Sequence, residues 1–307
     1  MRIVYFGITQ FAVKGLKKLI QLNASPVALI TIPAQTQDTD IMNAICKEQN
    51  IPVYSFDNIN NPQFISILKN ELQPDLIIVY TFHQKLSKEI YEVAKYAINM
   101  HPSFLPSYKG NNPYFWPIAN GEAETGVTFH HINDNFDSGD IISQQKVSIA
   151  PEDTCGMVIS KLEASSTYLL ELIINMLNSG EDLPRIPQVL GQYPLAPKPQ
   201  LKDYFIDWHW NNKKIVDRVR ALNPYTGAYA QFRNSVLAIY QVQASGYSSI
   251  GKPGAIVAFS PDGPLVKTGD GAILLKTLAV GKKYLLSGND FMEYEKVKIG
   301  DILTPWE

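Results

Sequence analysis

Asn99 and His101 stand two positions apart in the run INMHPSFLP, and Asp137 opens the polar stretch DSGD further along the chain. In an extended segment that spacing puts the carboxamide and the imidazole on one face. An imidazole moves protons near neutral pH, a carboxamide donates to an oxyanion, and a carboxylate orients the imidazole. Gathered in one crevice, the three groups could run acyl transfer. Each also has an ordinary structural alternative: Asn99 as a backbone-bonding cap, His101 as a satisfied core histidine, Asp137 as a turn residue. A zinc site built from His101, His130, His131 and an aspartate is a further option. His130 and His131 are adjacent in a strand-like segment, however, so only one of them could join it. No metal is expected. The sequence carries no Gly-x-Ser-x-Gly elbow, no phosphate loop, and no Gly-x-Gly-x-x-Gly after its first apolar run.

Such side chains need a strand end and a fixed loop to hold them. Residues 97–100 read as a strand, with earlier strands at 2–7, 26–32, 51–54 and 75–80. Helical spacing fills the intervals at 11–20, 41–49 and 62–72, and Ser87 caps a helix ending near Tyr96. This alternation predicts an α/β fold, a Rossmann-like mainly parallel sheet flanked by helices. Ligands of such sheets bind at the carboxyl ends of the strands, where Asn99 and His101 fall. Pro102, Pro106 and Pro113, with Gly110, set the path of the segment that follows. Strands at 125–132 and 140–149 and a long helix from Thr154 to about Asn178 come next. Residues 179–202 hold five prolines and lose all periodicity, which reads as a linker. A helix at 215–222 precedes glycine-punctuated strands at 228–232, 237–242, 254–259, 263–268 and 272–278. That spacing predicts a small C-terminal β-barrel, OB-like in kind. The boundaries expected are 1–180 for a catalytic domain, 181–206 for a linker and 207–307 for the barrel.

A chain of 307 residues suits two domains. Lys plus Arg is 27 against 29 for Asp plus Glu, a net charge of −2, so the chain has no global basic footprint for nucleic acid. Two cysteines rule out a disulfide-dense scaffold and a four-cysteine zinc site. The start MRIVYFG reads as a strand rather than a signal peptide, and no apolar run approaches the ~20 residues of a membrane span. A cytoplasmic protein without a membrane partner is expected.

The ordered motif Asn99-Met100-His101-Pro102-Ser103-Phe104-Leu105-Pro106, Gly110, Asn120-Gly121-Glu122, Thr125-Gly126-Val127-Thr128 and Asp137-Ser138-Gly139-Asp140-Ile141-Ile142 resembles the 10-formyltetrahydrofolate-dependent formyltransferases. The likeness covers nearly the whole chain. Residues 2–11 look like that family's opening strand and turn. Ile206-Asp207-Trp208 and Arg220-Ala221-Leu222-Asn223-Pro224 through Gly227-Ala228-Tyr229 look like the junction and C-terminal domain of methionyl-tRNA formyltransferases. The resemblance implies that an amine attacks the formyl carbon of the folate co-substrate. Asn99 and His101 would steady the oxyanion, and Asp137 would fix His101 and help move the amine's proton. It also implies a folate lying along Tyr80, Phe82, Gln84 and Leu86 and the turn bearing Asn133, Asp134 and Phe136. The pterin would be held largely by backbone groups, with Phe82, Leu86 and Phe136 as apolar walls. Lys109 and Trp116 would face the acceptor, although Trp116 is equally suited to a core.

Two segments depart from the tRNA enzymes. Where those carry a long basic insertion after the second strand, residues 33–40 hold no Lys or Arg. Where those read Arg-Gly-Ala-Ala-Pro, this chain reads Lys109-Gly110-Asn111-Asn112-Pro113-Tyr114-Phe115-Trp116, a form similar to amino-sugar formyltransferases. The expected acceptor is therefore a small amine, a nucleotide-linked amino sugar, with nucleic acid not expected as a partner. The alternative is formylation of methionyl-tRNA, which the C-terminal barrel keeps open. Lys213, Lys214, Arg218 and Arg220 would then be an RNA face, or else a solvated helix surface. Two further readings are a hydrolase that passes the formyl group to water and an inactive binding protein on the same fold.

Overall fold

A computed structural model describes residues 1–247, 250–281 and 284–305. The chain begins β1 (Ile3–Gly7), α1 (Gln10–Gln21), β2 (Ala28–Thr31), α2 (Gln37–Glu48), β3 (Val53–Ser55) and α3 (Pro62–Ile67). It continues β4 (Leu76–Tyr80), α4 (Lys88–Tyr91), β5 (Tyr96–His101), α5 (Trp116–Ala119), β6 (Glu124–His131), β7 (Ile141–Ser148) and α6 (Cys155–Asn178). After these come α7 (Asn212–Leu222), β8 (Ala228–Phe232), β9 (Ser235–Ser245), β10 (Ile256–Ser260) and β11 (Gly263–Lys267). The last elements are β12 (Ala272–Val280), β13 (Tyr284–Ser287), α8 (Gly288–Tyr294) and β14 (Leu303–Thr304). Two compact units divide the chain: residues 1–113, 125–147 and 160–196, and residues 114–124, 148–159 and 197–307.

The first unit is built on a sheet of order β3-β2-β1-β4-β5-β6-β7. Strands β1 to β5 pair in parallel and β6 runs antiparallel to β5. β1 and β4 are buried along their full length, as near-continuous apolar runs require of central parallel strands. α1 covers the sheet with Phe11, Ala12, Leu16 and Leu19, spaced as one helical stripe. Val4, Phe6, Ile30, Phe64, Leu68, Ile77 and Val79 form a core on this scaffold. The strand order reverses between β1 and β4, which opens a crevice at their carboxyl ends, and β5 ends beside it.

Three sequence expectations change. Of residues 33–40, only 33–36 are loop. Thr36 caps α2 in a reciprocal box with Thr39, and Asp38 and Asp40 sit in the first helical turn, where the helix dipole favours acids. The helix expected from Ser87 to Tyr96 lasts one turn, because Tyr96 pairs with Leu76 as the start of β5. Residues 184–196 are bonded along the first unit rather than free. The Pro194 carbonyl accepts from Tyr108 N at 2.6 Å, Ala196 N donates to the Lys109 carbonyl at 2.8 Å, and Ile186 bridges Ile141.

The second unit carries a curled antiparallel sheet of order β10-β11-β12-β9-β8-β14, with β13 added on β12, consistent with an OB-like domain. Trp208, Ile239 and Phe232 are buried in it. β13, α8 and β14 are elements the sequence patterning did not signal. The cations of α7 also differ from expectation, since Arg218 and Arg220 are both buried and form neither an RNA face nor a solvated one. Asp217 explains one of them: it accepts from Arg220 Nε at 2.9 Å and Lys213 Nζ at 2.7 Å. Arg220 Nη1 also donates to the Ala150 and Asp153 carbonyls. Arg218 lies over the rings of Trp210 (5.1 Å) and Phe115 (5.7 Å) and donates to the Asp203 carbonyl. Removing Asp217 strands a buried guanidinium, so Asp217→Ala is expected to cost ~1.5–3 kcal/mol in urea unfolding. An unchanged midpoint would show that the backbone carbonyls alone satisfy Arg220.

Candidate active site

β5 delivers Asn99 and His101 to the carboxyl edge of the first unit's sheet, and β6 runs back beside it with His130 opposite Asn99 and Thr128 opposite His101. The turn after β6 returns Asp137 to the same place. Asp137 Oδ1 lies 3.5 Å from His101 Nδ1 and 3.8 Å from His130 Nε2. Asp137 holds φ at 52°, a left-handed conformation that aspartate tolerates better than most residues. The turn is locked from several sides. Gly110 N donates to Asp137 Oδ2 at 3.1 Å, and Gln188 Nε2 donates at 2.9 Å to the carbonyls of both Asp137 and Gly139. Gly139 passes so near β6 that a Cβ there would sit 1.8 Å from the His131 carbonyl oxygen.

The tautomer of His101 follows from its partners. Nε2 faces the Tyr108 carbonyl at 2.9 Å and must donate its hydrogen there, which leaves a lone pair on Nδ1 facing the Asp137 carboxylate. The Nδ1 to Asp137 contact becomes a hydrogen bond only when Nδ1 takes a proton. Burial pushes the imidazole below its ordinary pKa of 6.5, against the pull of Asp137 and Tyr108. Burial also raises the Asp137 carboxyl, but His101, His130 and the Gly110 amide outweigh it, and the group sits at about 2. Near neutrality the site therefore holds a carboxylate beside an unprotonated imidazole, set to receive one proton.

A pH dependence follows. Because the folded state binds the His101 proton less readily than the unfolded chain, acid below 6.5 favours unfolding through this group. Wild type is expected to lose stability relative to His101→Gln as the pH drops from 6.5 toward the lowered folded pKa. Turnover should likewise rise with pH along a limb centred below the ordinary histidine value. Thermal melts and kcat/KM profiles across this range check both; a limb above 6.5 would contradict the assignment.

The other residues expected in the site fall unevenly. Tyr80 is wholly buried, its ring 5.9 Å from Tyr5 and 5.8 Å from Phe129, so its side chain walls no ligand site and only its backbone could serve one. β4 is packed on both faces, and the strand-end position does not exempt Tyr80. Phe82 and Leu86 also belong to the core, with Phe82 edge-on to Phe6 at 5.6 Å. They support the loop after β4 from beneath. Gln84 spends its amide within the protein, accepting from Ile59 N and donating to the Asp57 carbonyl, both at 3.1 Å. Asn133 accepts from Asn135 N and Ser138 Oγ, which shapes the turn, while Asp134 accepts from Tyr91 Oη at 2.7 Å. Phe136, 61% exposed, is the one expected wall whose ring meets solvent. Lys109 is tied through its backbone to Leu195 and Ala196, and its charge helps lower the His101 pKa. Trp116, in the second unit, gives its indole N–H to the Pro197 carbonyl at 2.7 Å and packs edge-on to Phe115.

Sequence reasoning overlooked three contributors, and it considered a fourth, His130, only as a metal ligand. His130 and Gln188 bond to the triad or its turn. Thr81, a β-branched residue at φ 55°, bonds through its hydroxyl to Thr9 across the crevice between β4 and β1. Tyr108 acts through a carbonyl, for which no sequence signal exists. The strand alternation at His130-His131 was the available signal for the first. His131 turns away to the Pro184 carbonyl, 2.9 Å from its Nε2. Among the described residues, no group of three or more His, Cys, Asp or Glu side chains is arranged to hold a metal ion, and no helix is long and apolar enough to cross a membrane.

An open α/β sheet with a carboxamide, an imidazole and a buried carboxylate at one strand end has the make-up of a group-transfer enzyme. The family model described as formyl transferase matches residues 1–173, and that of its C-terminal domain matches residues 199–296. The methionyl-tRNA formyltransferase of Desulforamulus reducens is 34% identical over 312 residues, covering 99% of this chain and 98% of that protein. The methionyl-tRNA formyltransferase of Halothermothrix orenii is 32% identical over 317 residues, covering 99% of this chain and 100% of that protein. Solved structures share the fold at lower identity. WlaRD, a sugar 3N-formyl transferase solved with dTDP and 5-N-formyl-THF, aligns with a TM-score of 0.68 at 20% identity, over 90% of this chain and 97% of that one. The N-formyltransferase of Helicobacter canadensis, solved with folinic acid and dTDP-3-aminofucose, aligns at 0.66 and 19%, over 90% and 98%. The chain belongs to the formyltransferase family. It is an enzyme that transfers a formyl group from 10-formyltetrahydrofolate.

Proposed function

We propose that the acceptor is the amino group of methionyl-tRNA. The observation that carries this is the end-to-end match to methionyl-tRNA formyltransferases, through both domains and at 34% and 32% identity for the two named above, against 20% and 19% for the two sugar formyltransferase structures. It reverses the order suggested by the residues alone.

The co-substrate supplies the formyl carbon; this chain supplies the rest. Asn99, half-buried at the strand end, donates an N–H to the oxyanion that develops as the amine adds. His101, held by the Tyr108 carbonyl, presents Nδ1 to take a proton from the attacking amine, and the Asp137 carboxylate steadies the imidazolium so formed. The imidazolium returns the proton to the folate nitrogen as the bond from that nitrogen to the formyl carbon breaks, the carbonyl re-forms and tetrahydrofolate leaves. The loop after β4 and the turn at residues 133–137 would border the folate, with Phe136 as the exposed aromatic surface. Lys109 and Trp116 remain proposed acceptor-side residues.

A second reading, transfer to a nucleotide-linked amino sugar, is favoured by two specific observations. Residues 33–40 hold no Lys or Arg, and the burial of Arg218 and Arg220 takes two more cations from any phosphate-binding surface. Both acceptors should be offered with 10-formyltetrahydrofolate, and the products read by mass spectrometry. Formylated methionyl-tRNA at physiological salt supports the proposal; formylated sugar with untouched methionyl-tRNA overturns it.

A further inference from the structure

We infer that His130 is a positioning residue for Asn99, fixing which atom of the carboxamide faces the reacting group. The inference rests on the reading of Asn99, His101 and Asp137 given above. His130 lies directly across from Asn99 in the β5–β6 ladder and is 3% exposed. Its Nδ1 stands 2.8 Å from the His131 carbonyl, which can only accept, so the ring hydrogen sits on Nδ1 and Nε2 presents a lone pair. That lone pair lies 3.1 Å from Asn99 Nδ2.

A carboxamide can turn end for end at little cost unless a neighbour distinguishes its two ends. His130 does so. If Asn99 turned over, Oδ1 would meet the lone pair on Nε2, and two acceptors would face each other in a buried place. The bond therefore keeps Nδ2 inward and commits one of its two hydrogens, which leaves the other for an oxyanion. The ring cannot easily turn to accommodate a flipped amide. Its anchor, the His131 carbonyl, is the atom against which Gly139 packs without room for a Cβ. The same turn carries Asp137, whose Oδ1 is 3.8 Å from His130 Nε2, beyond hydrogen-bonding distance. His130 thus sets Asn99 from one side while the residues that seat its ring hold the Asp137 turn on the other. An apolar side chain at position 130 would fill the volume and leave the carboxamide free to turn.

The test compares His130→Leu, His130→Met and His130→Gln, each alone and combined with Asn99→Ala, in the full-length enzyme. Gln can place an amide oxygen near the position of Nε2 and accept from Asn99. Leu and Met are expected to lower kcat on the order of 10- to 100-fold, with the folate KM and thermal midpoint near wild type. His130→Gln should recover most of the loss. In the Asn99→Ala background, no further loss is expected from Leu or Met, as for a residue that acts through its neighbour. Full kcat in an apolar variant, no recovery with Gln, or an additional loss in the Asn99→Ala background would each overturn the positioning role. The failures are distinguishable: wild-type turnover in Asn99→Ala alone overturns the reading of the whole site, whereas a slow Asn99→Ala beside a fully active His130→Leu overturns only this inference.

Discussion

Asn99→Ala is expected to slow formyl transfer by roughly 10²- to 10³-fold while leaving thermal unfolding close to wild type. The residue is half-buried and makes one side-chain hydrogen bond, to His130, so its removal disturbs little beyond the donor itself. The developing oxyanion, in contrast, loses a preorganised N–H in a site partly closed to water, where such a donor acts most strongly. The loss should therefore fall on kcat with little change in KM. His101→Ala should be at least as slow but less stable, because it removes the buried hydrogen bond from Nε2 to the Tyr108 carbonyl, at a cost of ~1–3 kcal/mol. Steady-state kinetics beside thermal melts separate the two effects. Retained turnover in either variant would move the chemistry elsewhere.

The second large effect belongs to Asp137→Asn, expected to lower kcat by roughly 10²- to 10⁴-fold. The substitution preserves shape, since asparagine tolerates the φ of 52° and its amide oxygen can still accept from Gly110 N. What disappears is the charge that steadies a proton on His101. The carboxylate is the strongest influence raising the His101 pKa against burial, so without it the rising limb of kcat/KM should move to still lower pH. A limb that shifts upward, or does not shift, would show that Asp137 is not coupled to His101 in the working enzyme.

Much of this site is legible in the order of the amino acids alone. The continuous apolar runs of β1 and β4 had to be central parallel strands, and the two-residue spacing of Asn99 and His101 had to put both on one face of β5. Strand alternation also required that only one of His130 and His131 point inward. Which one did so was not legible, because it depends on the register of β6 against β5. Tyr80 shows another limit: the family resemblance placed it along the folate, yet packing on both faces of β4 buries the ring completely. α7 shows a third. A count of cations on a helix cannot tell that Asp217 draws Arg220 inward or that Trp210 and Phe115 hold Arg218. β13 and β14 went unread because a four-residue strand with exposed positions and a two-residue strand carry almost no pattern. The linker expectation missed residues 184–196 because their bonds to Tyr108, Lys109 and Ile141 run through backbone atoms, which no residue type announces.

The central claim is that these three side chains pass the formyl group to an amine. It is tested most directly by a single turnover of 10-formyltetrahydrofolate with wild-type enzyme and methionyl-tRNA, following both the acceptor and free formate by mass spectrometry. The account predicts one formyl group on the amine for each tetrahydrofolate formed, and the same transfer roughly 10²- to 10³-fold slower with Asn99→Ala. Tetrahydrofolate released together with formate, the acceptor untouched, would contradict it and make the enzyme a hydrolase.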